Sequence, residues 1–210
     1  MCYINAIGYI LQGLINAIDE LFPNAEHRFC VRHILSNFRT RFKGKALKDA
    51  LWRCARSSYG VKFREEMQVI EGMSTEAHAY LAGIDPTHWS RSHFDQKFKC
   101  DMLLNNLCEC FNAFILDART KGFITMNEMI RTMLMKRIQK KRAVMLRSKE
   151  EFCPKIRKKL ERAKQESWYY RADWSGGDKY QVSGLDGQLV VDKKEHSCSC
   201  RRWQDRKSVV

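Results

Sequence analysis

Apolar residues recur at helical spacing through most of the chain. Ile10-Leu11, Leu14-Ile15, Ile18 and Leu21-Phe22 fall on one face of a 3.6-residue period, and Pro23-Asn24 closes that helix. A second helix is predicted over about 25–42, with Phe29, Ile34, Leu35, Phe38 and Phe42 as its apolar contacts, and Gly44 breaks it. Three shorter helices follow over 45–59, 61–72 and 75–82, marked by Leu47, Leu51, Trp52, Phe63, Met67 and Ile70. Residues 85–100 are rich in aromatics, histidine and serine without a clear period, and read as a largely irregular link. Helices then resume over 103–118, 125–148 and 153–166, the second of these after a turn at Lys121-Gly122. From Trp168 the pattern shortens. Tyr169-Tyr170, Tyr180-Gln181-Val182 and Gln188-Leu189-Val190-Val191 read as strands, with hairpin turns at Gly176-Gly177-Asp178 and Asp186-Gly187. The prediction is a mainly α fold with a small C-terminal β element (α+β). Only three prolines (Pro23, Pro86, Pro154) interrupt the chain, which agrees with helix dominance.

Composition changes this picture in one respect. An apolar share of 44% and an aromatic share of 11% suit a folded protein, but 38 Lys and Arg stand against 24 Asp and Glu, a formal charge of +14. Such an excess points to a polyanionic partner, nucleic acid first, against the plainer reading of a basic soluble protein. The start carries neither a basic leader nor a cleavage site, and no run approaches the ~20 apolar residues of a membrane span. Nine cysteines in such a chain read as reduced thiols or metal ligands rather than a disulfide framework. An intracellular protein is expected, and the charge favours the nucleus.

Four constellations carry candidate chemistry. Cys30 and His33 stand three apart, on one face if the segment is helical, which suits either a metal pair or a buried sulfur–imidazole contact in the core. In the second, Leu103, Leu107, Cys110, Phe111 and Phe114 form an apolar stripe on a helix, and Asn105, Glu109 and Asn112 share the opposite face. A carboxylate flanked by amides can take a hard divalent cation, while a solvated polar face is the plainer reading. The third is the C-x-C pair Cys198 and Cys200, followed by Arg201-Arg202-Trp203. Cys108 and Cys110 also form a C-x-C, but side chains two apart on a helix diverge. The fourth is the basic helix pair with Lys136, Arg137, Lys140, Lys141, Arg142, Arg157, Lys158 and Lys159, fit to track phosphates without reading sequence, or else simply solvated.

The run from Gly13 to Phe38, with its Gly-Leu, Phe-Pro-x-Ala, His-Arg-x-Cys and His-x-x-x-Asn elements in order, resembles plant Mutator-like transposases and their domesticated far-red-response relatives. The resemblance extends from about Gly13 to Gln204. It implies an RNase H-like catalytic domain, of which this chain holds only the last part, interrupted by a helical insertion over about 25–100. It makes Glu109, within Asn105-Asn106-x-x-Glu109-x-x-Asn112, the match for the last acidic residue of a DDE triad. It makes Cys30 and His33 the family's Cys/His motif, and Cys198 and Cys200 the opening half of a SWIM zinc finger. Three segments are implied: 1–102, the end of the catalytic core and the insertion; 103–167, the Glu-bearing and basic helices; 168–210, a β meander with the truncated finger.

The chain also departs from that pattern. Tyr9 stands where the family has its second aspartate, and the first aspartate is expected upstream of Met1. Two-metal phosphoryl transfer needs several converging carboxylates, so Mg²⁺ chemistry belongs to the intact parent and this chain is expected to be silent. No Cys or His follows Cys200, so the zinc site is expected to be incomplete, since structural zinc takes four ligands. The expected function is that of a degenerate transposase fragment bound to DNA by its basic helices. The alternatives are a metal-dependent transposase complemented by the missing segments, a zinc-binding regulator of the far-red-response type, and a gene remnant.

Overall fold

The computed structural model describes residue 16 and residues 20–148 and 150–204, apart from the side chains of 107 and 108. The first predicted helix lies mostly outside these residues, as does Tyr9. Within them the fold is mainly helical with a four-stranded antiparallel sheet near the C-terminus. The described residues divide into two compact units. One joins those up to Asn105 with Ala172–Val182 and those from Asp186 onward; the other takes Asn106–Arg171 and Ser183–Leu185.

In the first unit, α1 (Val31–Arg41), α2 (Lys45–Arg56), α3 (Gly60–Met73) and α4 (Thr75–Ala82) surround one apolar core. Their inward residues are those of the sequence pattern: Ile34, Leu35, Phe38, Leu51, Phe63, Met67 and Ile70. Local chemistry sets the boundaries. Gly44 adopts φ 115°, which a side chain would resist, and so turns the chain into α2. Ser74 ends α3 through its N–H on the Ile70 carbonyl, then caps α4 by accepting from Ala77 N at 3.1 Å. Residues 85–100 lack regular helix, as predicted, yet they are not a peripheral link. Their short 3₁₀ turns bury Trp89, Ser90, Ser92 and Phe94 in the same unit. Trp89 donates its indole N–H to the Ile84 carbonyl, and the Ser90 hydroxyl donates to that of Cys54, so these two polar groups enter the core with partners.

The second unit contains α5 (Asn106–Phe114), a 3₁₀ turn at Ala118–Thr120, α6 (Phe123–Arg147) and α7 (Pro154–Ser167). The sheet runs β1 (Arg171–Trp174), β2 (Lys179–Gly184), β3 (Gly187–Asp192) and β4 (Ser197–Cys198), neighbours in chain order. Tyr169 and Tyr170, predicted as strand, instead follow the end of α7, and β4 was not predicted. Gly176 (φ 98°) and Gly177 (φ 56°) make the β1–β2 turn, a conformation that favours glycine. Within the first unit the sheet's Asp186, nearly buried, accepts from Lys62 Nζ at 2.6 Å and pairs with Arg202 at 3.2 Å.

Candidate functional site

The segment before α1 departs from the prediction. Residues 25–30 are not helical. Arg28 explains why: it is fully buried, pairs with Glu26, donates to the Cys100 carbonyl at 2.6 Å and lies 3.7 Å over the Phe94 ring. Phe29 N–H adds a bond to the His88 carbonyl at 2.7 Å. These tertiary contacts hold the strand-like path and outcompete helix propensity, which is only a weak prior. Cys30 therefore sits at the N-cap of α1 with φ −73° and ψ 114°, ahead of the helix rather than on its face.

The cap still brings Cys30 and His33 together. The Cys30 sulfur and a His33 ring nitrogen lie within 4.8 Å, with Cys30 buried and His33 half-buried, so a metal ion could be held here. A thiolate and an imidazole are the ligands zinc prefers. The surroundings are firmly built. His33 N–H donates to the Cys30 carbonyl at 2.9 Å, and Val31 N–H donates to the Leu103 carbonyl at 2.9 Å. Asn105 N–H donates to Cys30 Sγ at 3.4 Å. Asn105 is itself buried, and its side-chain oxygen has no hydrogen-bond partner among the described residues.

This pairing of 103–105 against α1 delays the next helix, which begins at Asn106 rather than 103. The predicted polar face of Asn105, Glu109 and Asn112 is thereby divided. Asn105 precedes the helix and belongs to the first unit; Glu109 lies half-buried on α5 of the second; Asn112 is exposed. Cys110 and Phe111, predicted as apolar contacts, are exposed.

Cys198 and Cys200 are both buried, with their sulfurs 3.1 Å apart. Gln204 clamps the turn, its Oε1 accepting from Cys198 N and its Nε2 donating to Cys198 O. Arg201, in the left-handed region at φ 60°, donates to the carbonyls of Ser92 and Phe94, the latter at 2.5 Å, and so ties the loop to the helical part of its unit. The hydrogen bond shared by the thiols lowers the pKa of Cys198 to about 6 and pushes that of Cys200 strongly up. His196 stacks on Trp203 with ring centroids 5.4 Å apart. Among the described residues, no His, Cys, Asp or Glu brings a third ligand atom within 4.8 Å of both sulfurs.

On α6, Lys136, Arg137, Lys140, Lys141 and Arg142 are all exposed, as are Arg157, Lys158 and Lys159 on α7; neither helix buries a residue. Arg157 pairs with Glu150, and Arg137 lies 5.0 Å over the Phe114 ring. Among the described residues, none forms an ion pair with Lys136, Lys140, Lys141, Arg142, Lys158 or Lys159. No helix among them is long and apolar enough to cross a membrane.

Sequence reasoning missed Arg28 and Asp186 as organising charges, and it placed Asn105 beside Glu109 rather than beside Cys30. Arg28 carries no sequence signal beyond its position in the His-Arg-x-Cys run. No family model, curated protein or solved structure matches the chain.

Proposed function

We propose that the chain is a catalytically silent, DNA-associated protein of Mutator-like transposase descent, working in the nucleus. The observation that supports this best is the exposed cationic surface of α6 and α7, where six basic side chains, Lys136, Lys140, Lys141, Arg142, Lys158 and Lys159, are held by no acidic partner among the described residues. Lysine and arginine so placed gain affinity by releasing counterions from phosphates, without sequence readout. Silence follows from the carboxylate chemistry. The resemblance makes Glu109 one member of a triad whose second member is replaced by Tyr9, and a neutral phenol is no substitute for a carboxylate on a hard divalent cation. Zinc is the metal that the Cys30–His33 pair suits, and the Cys198–Cys200 thiols form a second, two-ligand zinc half-site.

Anisotropy of a labelled DNA duplex, titrated over a range of salt, tests this. Binding is expected to weaken linearly in log–log form. The variant Lys140→Glu, Lys141→Glu, Arg142→Glu should reduce the slope by about three. Equal binding by the variant at low salt refutes the reading. Supercoiled plasmid with Mg²⁺ or Mn²⁺ should remain uncut; nicking abolished by Glu109→Gln would establish an enzyme instead.

A further inference from the structure

We infer that Asn105 is a third protein ligand to a zinc ion held by Cys30 and His33. The inference rests on the zinc reading of that pair. It goes further in adding an oxygen donor, which makes the centre a mixed S, N, O site.

Three observations within the first unit carry it. Asn105 is 8% exposed, and its Oδ1 is buried with no hydrogen-bond partner among the described residues, an uncommon state for a native interior oxygen. A neutral amide oxygen with free lone pairs is a competent ligand for a divalent cation. The residue is also anchored against the ligand sulfur itself: its N–H donates to Cys30 Sγ at 3.4 Å. Hydrogen bonds to a metal ligand from the surrounding protein fix its orientation. Finally, the backbone on both sides is in fixed register, because Val31 N–H donates to the Leu103 carbonyl at 2.9 Å and His33 N–H to the Cys30 carbonyl at 2.9 Å. The three side chains therefore issue from two short segments clamped to one another. The competing account is a water on the Asn105 oxygen, and the two differ in what a carboxylate or a methyl at that position would do.

The test uses the full chain with Cys198→Ser and Cys200→Ser, which leaves those thiols out of the signal, and Co²⁺ as the spectroscopic probe, displaced afterwards by Zn²⁺. A thiolate-to-cobalt charge-transfer band is expected, and it should vanish in Cys30→Ser. Asn105→Asp, which offers a charged oxygen, should tighten Co²⁺ by about tenfold or more and alter the ligand-field bands; Asn105→Leu should weaken it by at least about tenfold. Asn105→Leu removes the orphaned oxygen, so the metal-free variant should fold at least as well as the parent, which circular dichroism checks. If both Asn105 variants bind Co²⁺ as the parent does while Cys30→Ser loses the band, the pair holds metal and Asn105 is not a ligand. If the parent shows no thiolate band, the zinc reading and the inference both fall. DNA affinity, carried by α6 and α7, is measured separately and should not change in any of these variants.

Discussion

Replacing Arg28 by alanine removes a cation that the fold has enclosed. The side chain is 1% exposed and its partner Glu26 13%; Glu26 also accepts from Asp95 N at 2.8 Å. Without Arg28, the largely enclosed Glu26 carboxylate loses its ion-pair partner, the Cys100 carbonyl loses its donor, and the Phe94 face loses its cation at 3.7 Å. Breaking a buried pair from one side costs about 3–5 kcal/mol. The stacking contact is worth about 1–2 kcal/mol more at a desolvated site, though such terms do not add fully. A loss of about 4 kcal/mol is therefore expected. Urea unfolding followed by far-UV circular dichroism reads it directly: with a slope of about 2 kcal/mol per molar, the midpoint should fall by about 2 M. The double variant Glu26→Gln, Arg28→Met supplies the sharper test. It removes both charges and keeps the volume, so it should be markedly more stable than Arg28→Ala. A single-variant loss below about 1 kcal/mol, or a double variant showing the summed losses of the separate Glu26→Gln and Arg28→Met changes, would refute the account of Arg28 as a paired, enclosed charge. The same substitution should weaken Co²⁺ binding, because Arg28 holds the segment that delivers Cys30.

Further outcomes follow from other contacts. Arg201→Ala leaves the Ser92 and Phe94 carbonyls without their donor and should cost about 2–3 kcal/mol, with hydrogen exchange rising first in β4. Burial, reinforced by Glu66, pushes the Cys54 thiol up to about 12 from 9.0. Stability from this group is then full below pH 9 and falls by about 1.4 kcal/mol per unit between 9 and 12, so Cys54→Ala should flatten urea midpoints over that window relative to the parent. Burial and then Arg201 hold His93 below its ordinary pKa of 6.5, so its contribution is present above pH 6.5 and is lost as pH falls below that. His93→Gln should make the acid limb of the stability profile shallower; an unchanged limb would count against this. A methyl at Gly184 would collide with the Tyr170 ring, and Gly184→Ala should cost about 1–3 kcal/mol of thermal stability, relieved by Tyr170→Ala.

The helical period was legible because α1 to α4 bury one stripe each. Leu51, Met67 and Ile70 lie inside, and Thr75–Ala82 has the predicted bounds, since Ser74 both stops one helix and caps the next. What escaped the sequence is long-range. Arg28 must find Cys100 and Phe94 more than sixty positions away to turn 25–30 out of helix, and Leu103 must find Val31 to delay α5. No local pattern encodes those meetings. The Cys30–His33 pair was found by spacing, although through a helix face that does not exist: an N-cap places i and i+3 together much as a helical turn does. Asn105 was noticed for its neighbours in sequence, whereas its position beside Cys30 depends on the extended stretch before α5. β4 is two residues long and has too little pattern to read.

The division of labour between core and surface also bears on how the proposed function can be tested. The first unit concentrates its buried groups in α1 to α4 and the 3₁₀ turns, so substitutions there change stability and site geometry together. In α6 and α7 no residue is buried; half-buried apolar residues such as Ile130, Met133 and Leu134 are accompanied by exposed ion pairs such as Arg131–Glu128, Arg162–Glu166 and Lys164–Glu161. Pairs of that kind contribute little individually, and surface substitutions away from special features usually fall within about 0.5 kcal/mol of neutral. Charge reversal at Lys140, Lys141 and Arg142 should therefore alter DNA affinity while leaving the unfolding midpoint nearly where it was. A cationic surface that can be rewritten without disturbing the fold is free to be set by its ligand. That independence is what the salt-slope experiment relies on, and a midpoint that moved with the charges would mean that these lysines and arginines serve the fold.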